Sequence, residues 1–144
     1  MQDPEAGTPA DGHTLLGLMT LPADPASVAT ARREFLVSAI RLDLVGRVDE
    51  CVLMLSELVT NAIAHGCAEE PWLVRVEWHR TSDALRVEVH NPGLPGPVQL
   101  VKPRQDDEHG RGLLLVDALA YEWSVGPSPH GGTVVAFVMR GALR

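Results

Sequence analysis

The order in which helical and strand periodicities follow one another constrains the fold of this chain more than any other feature. Thr14 to Leu21 is a short apolar run stopped by Pro22, which fits a strand. Asp24-Pro25 then offers a capping oxygen and a proline suited to a first helical turn, and Val28, Ala31, Phe35 and Ala39 recur at helical spacing to about Arg41. After the connection LDLVGRVDE, Val52, Leu55, Val59, Ala62 and Ile63 form a second helical stripe ending near His65-Gly66. Two alternating runs follow, Val74, Val76 and Trp78 in one and Leu85, Val87 and Val89 in the other, joined around Thr81-Ser82-Asp83 as a hairpin. A proline- and glycine-rich stretch from Asn91 to His109 is long for a connecting loop. Arg111 to Leu119 resumes helical character, and Tyr121 to Val125 and Thr133 to Met139 close the chain as strands around a Pro127 to Gly132 turn. Such an order lacks the strict strand-helix alternation of a doubly wound sheet, and no GxxxxGK[ST] sequence is present. It predicts an α+β two-layer sandwich with helices on one face of a mixed, mainly antiparallel sheet.

Composition narrows the function classes. A chain of 144 residues, 45% hydrophobic, supports one substantial core. Residues 14–144 are expected to form a single domain behind an acidic, Pro/Gly/Ala-rich lead-in of residues 1–13, which has neither the basic start nor the apolar run of a signal peptide. Twelve basic against 19 acidic residues give a net charge of -7, which disfavours direct nucleic-acid binding. Charged residues interrupt every apolar run before the roughly 20 residues a membrane helix requires, so no membrane partner is expected. Cys51 and Cys67 are the two cysteines, with no CxxC and no zinc-finger spacing, which suits a reducing cytoplasm. The six histidines include no pair at ligand spacing on a helix and receive no metal role.

Four short segments carry chemistry. In ELVTNAIAHG, Glu57 and Asn61 are four residues apart and project from one helix side, roughly opposite the apolar stripe. Amide and carboxylate oxygens suit a hard cation such as Mg²⁺, which takes further ligands from water and substrate phosphates. Asn61 is the metal candidate, and Glu57 is placed to position or deprotonate a nucleophile. The same pair also fits the solvated face of an amphipathic helix. Gly110-Arg111-Gly112 opens a helix, where glycines let a phosphate approach unpaired N–H groups, although a lone GxG also serves simply to end a loop. Asn91-Pro92-Gly93 ends a strand, and an amide there can accept from an adenine amine while donating to a ring nitrogen. Thr133, after Gly132, can add a hydroxyl near the base. Trp72, Trp78 and Trp123 are packing residues.

Taken in order, ELVTNAIAHG, VEVHNPG, HGRGLLLV and GGTVV resemble the asparagine box and the three glycine boxes of the GHKL ATPase superfamily, the Bergerat fold. Within it, the compact length and the LPADPASVATARREF and GRGLLLVDALA segments look like the bacterial anti-sigma-factor serine/threonine kinases. That resemblance implies ATP and Mg²⁺ as cofactors, phosphorylation of a STAS-domain anti-anti-sigma partner, release of a sigma factor by partner switching, and a homodimer. It makes Glu57 the general base and Asn61 the Mg²⁺ ligand. Gly93 falls in the adenine box, Gly110 and Gly112 with the adjoining Arg111 and Leu113 in the phosphate loop, and Thr133 in the last box. The departure is Asn91, where the family usually has an aspartate that accepts from the adenine amine. Exchanging that charge-assisted bond for a neutral one costs on the order of 1 to 3 kcal/mol.

Overall fold

The computed structural model describes residues 13–42, 44, 46–65, 73–91 and 111–143. Their element order is β1 (His13–Pro22), α1 (Ser27–Arg41), α2 (Val48–His65), β2 (Leu73–Thr81), β3 (Ala84–Asn91), α3 (Arg111–Leu119), β4 (Glu122–Pro127) and β5 (Thr133–Arg140). The five strands form one sheet in the order β1-β2-β3-β5-β4. Every pairing among the described residues is antiparallel, so the sheet is the antiparallel end of the expected range. The predicted α+β two-layer arrangement is what forms, because only one side of the sheet is apolar enough to take helices.

Strand alternation explains that asymmetry. Val74, Val76 and Trp78 on β2, Leu85, Val87 and Val89 on β3, and Phe137 and Met139 on β5 point to the helices and are almost wholly buried. Facing them are Ala31 and Phe35 of α1, Cys51, Met54, Leu55, Leu58, Val59 and Ala62 of α2, and Val116 of α3. Phe35 meets Trp78 edge-on at 5.7 Å, and the indole Nε1 donates to Ser38 Oγ at 2.9 Å. Gly17, beside a register shift in β1, lies under the same indole, since a Cβ there would come within 2.2 Å of Trp78 Cε2. Burial pushes the Cys51 thiol up to about 12, so it is an inert core residue.

Two helix starts differ from expectation. The Asp24-Pro25 pair forms a turn ahead of α1 rather than its cap: Asp24 Oδ1 accepts from Ala26 N at 2.8 Å, while the helix proper begins at Ser27. Ser27 sends its hydroxyl back to Pro22 O at 2.7 Å, tying the helix entry to the end of β1. Helix α2 begins at Val48, inside the segment read as a connection, with Asp49 and Glu50 favourably placed in its first turn. The hairpin turn places Ser82 at φ 55. His13 belongs to β1, opposite Thr81, while the rest of the lead-in, and Trp72 and Cys67, lie outside the described residues. No helix among the described residues is long and apolar enough to cross a membrane.

Candidate functional site

Helix α2 positions the acidic end of the site. Its buried row runs through Cys51, Met54, Leu55, Leu58, Val59 and Ala62, with Val52 and Ile63 only partly buried at its edge. At ~100° per residue, Glu57 and Asn61 therefore flank the buried row rather than oppose it, and both are half-buried. This corrects the sequence-based placement on the helix's far side. Val52 and Ile63 stand at the edge of the buried row because α2 packs on α1 as well as on the sheet.

The adenine-edge candidate and the hydroxyl candidate converge at the C-terminal end of the same helix. Asn91 ends β3 and is cross-strand partner of Thr133, which begins β5. Strand parity turns both to the helical side, since Val89 and Phe137, which share their parity, sit in the core. Asn91 is 7% exposed, and its Nδ2 donates to the carbonyl of Ala62 at 3.3 Å. That bond joins the last turns of α2, one residue beyond Asn61, to the ends of β3 and β5. Three sequence motifs separated by 30 and 42 positions thereby meet at one end of the sheet's interior strands.

Of the phosphate-side candidates, Arg111, Gly112 and Leu113 open α3. Arg47, just ahead of α2, donates through Nη2 to Leu119 O at 3.3 Å, anchoring the end of α3 at the first turn of α2. Helix α3 packs along α2 from there. Nine residues at ~1.5 Å each make α3 about 13 Å long, so its start lies that far from the Arg47 anchor. Arg111, Gly112 and Leu113 form that first turn, and their side chains lie outside the described residues, as do Gly93 and Gly110 altogether. A helix start presents unpaired N–H groups to an anion.

Arg32 is a site neighbour that the sequence reading passed over. Its Nε donates to Ser56 Oγ at 2.8 Å, and Ser56 in turn donates to Val52 O at 2.8 Å. With Asp49, Val52, Leu53 and Ser56 it borders an open groove of about 410 Å³ whose edge is Glu57. Glu57 borders this groove and Asn61 does not, so Arg32 and Glu57 line one surface on the outer side of α2. No local signal marks Arg32, since an exposed arginine on α1 is ordinary until α2 is packed against it.

On the helix-free side of the sheet lies a second polar group, built from Arg75, Glu77 and His79 on β2 and Arg86, Glu88 and His90 on β3. The His79 ring, 3.0 Å from Glu77, holds that carboxyl at about 2 against its burial, with help from Arg75 and the charge of His90. Burial acts most strongly on Glu88 and favours its neutral form, but bonds from His90 and Arg86 and the charges of His79 and Arg86 outweigh it and hold Glu88 at about 2.

Comparison with curated proteins returns no match. A family model described as the histidine kinase-like ATPase domain matches residues 21–139, a span that takes in α2, the Asn91–Thr133 pair and α3. On that match, together with the antiparallel sheet, the chain belongs to the histidine kinase-like ATPase domain family of the GHKL type.

Proposed function

We propose that the chain binds ATP with Mg²⁺ and transfers the γ-phosphoryl group to a serine or threonine hydroxyl on a STAS-domain partner, acting in the cytoplasm as a homodimeric regulator of a sigma factor. The observation that supports the nucleotide part is the bond from Asn91 to Ala62 O, which holds the amide, with Thr133 as its cross-strand partner, against the last turns of α2 beside Asn61. Asn91 would accept from the adenine amine, with its own N–H₂ steadied by the helix carbonyl. The amide oxygen of Asn61 is a hard, half-buried donor of the kind Mg²⁺ takes singly, leaving its other positions to water and phosphate. When bound, the ion supplies charge neutralisation on the phosphates.

The protein's own share of the reaction is positioning. Glu57 orients the incoming hydroxyl and receives its proton as the new O–P bond forms and the bond between the β,γ-bridging oxygen and γ-phosphorus breaks, releasing ADP. The N–H groups of the α3 start hold the phosphates. Specificity for a STAS partner and a sigma factor rests on the resemblance of the boxes and their flanking segments to anti-sigma-factor kinases. Incubation with labelled ATP and STAS-domain proteins tests it: transfer to a serine or threonine is expected, and Glu57→Ala should abolish transfer while ATP still binds. Absence of transfer to any such partner, with ATP binding intact, would favour a module that regulates by sequestration.

A further inference from the structure

We propose that the helix-free face of the sheet holds a divalent transition-metal site of the zinc class, with Glu77, His90 and His130 as its protein ligands. Linear spacing hides it. Glu77 on β2 and His90 on β3 lie on one face because Glu77 pairs with Glu88, two residues from His90. His130 arrives from the β4–β5 turn, where Gly131 and Gly132 both take positive φ and fold the imidazole back over the sheet. His130 Nε2 lies 3.4 Å from Glu77 Oε2, and His90 Nε2 lies 3.9 Å from the same oxygen. Donors ~2.0–2.1 Å from a tetrahedral zinc stand about 3.3 Å apart, so small side-chain shifts would close the three around one ion.

The supporting contacts orient these atoms. Ser128 Oγ is 2.7 Å from His90 Nδ1 and accepts from His130 N at 3.0 Å, so one hydroxyl steadies both imidazole-bearing residues. Ion binding would displace the Nε2 proton that His90 shares with Glu88 and leave the ring proton on Nδ1, donated to Ser128, which is the arrangement metal-bound imidazoles use. Arg75 Nε donates to the same Glu77 Oε2 and fixes its orientation, and Glu88 Oε1, 2.9 Å from His90 Nε2, is the nearest further carboxylate. An alternative set, Glu77, His79 and Glu88, shares one ligand. The His130 set is favoured because two imidazoles with one carboxylate suit zinc, and because His130, 43% exposed at its side chain, gives an ion a way in to the buried Glu77 and His90. The ion would tie the turn before Thr133 to the strand end before Asn91, bracing the adenine edge from behind.

The test uses full-length, tag-free chain stripped of metal and free of nucleotide, so its result is independent of whether ATP binds. Zn²⁺ is titrated calorimetrically, and Co²⁺ is followed by its visible d–d bands. One ion per chain, a raised Tm, and affinity weakened at least ~10-fold in His130→Ala and in Ser128→Ala are expected. His130→Ala changes an exposed turn residue, and circular dichroism checks that both variants stay folded. No stoichiometric binding, binding undiminished in folded His130→Ala, or binding lost in His79→Ala but kept in His130→Ala would each overturn the assignment.

Discussion

Restoring the family's usual aspartate at Asn91 is a perturbation whose outcome this structure makes unexpected. Asn91 is 7% exposed and gives an N–H to Ala62 O at 3.3 Å. In Asn91→Asp a carboxylate oxygen would face that carbonyl, so a hydrogen bond is exchanged for two opposed acceptors in a buried place. Loss of the bond with an unsatisfied buried acceptor costs about 1–3 kcal/mol, and at roughly 3 °C per kcal/mol the Tm falls by about 3–9 °C. Burial and the facing carbonyl favour the protonated acid, which can donate to Ala62 O, so the folded-state pKa of the new aspartate rises above its unfolded value of about 3.9. A raised folded pKa means that the deficit is full above that pKa and shrinks as pH falls toward the unfolded value. Urea denaturation at pH 7.5 and pH 5 measures this as a midpoint shift at constant slope. A variant as stable as the parent at pH 7.5, or a deficit that does not shrink at pH 5, would refute the reasoning. The same variant tests the base edge, since an amide can also donate to a guanine carbonyl that a carboxylate repels. Its preference for ATP over GTP should exceed the parent's, and an unchanged preference would remove Asn91 from adenine recognition.

Asn61→Ala should remove most of the Mg²⁺-dependent gain in ATP affinity, about tenfold, or ~1.4 kcal/mol, and calorimetry with and without Mg²⁺ measures it. Glu77 and Glu88 have depressed folded pKa values of about 2, so their stabilisation is present above the unfolded carboxylate range near 4.3 and is lost as pH falls toward 2. Melting curves from pH 5 to pH 2.5 should show a steep fall in Tm that is shallower in Glu77→Gln. Gly17→Ala places a methyl 2.2 Å from an indole atom wedged between Phe35 and the sheet, and it should cost about 1–3 kcal/mol in chemical denaturation.

Periodicity alone determined much of this protein. The helical stripes of α1 and α2, the alternation of β2 and β3, and the turn residues between β4 and β5 were legible because each depends on neighbours within a few positions. The order of those elements excluded a Rossmann or P-loop architecture, and the four ordered boxes named Glu57, Asn61, Asn91 and Thr133 together. What local pattern did not carry was direction and company. Whether Glu57 and Asn61 oppose or flank the buried row depends on how α2 divides its apolar surface between α1 and the sheet, and only packing decides that division. The bond from Asn91 to Ala62 crosses 29 positions, and Arg32 reaches Ser56 across 24. Linear spacing leaves the histidines solitary, because no two of them share a helix face at ligand spacing. Strand register and the fold-back of the β4–β5 turn, both set by pairings distant in sequence, place His90 and His130 around Glu77.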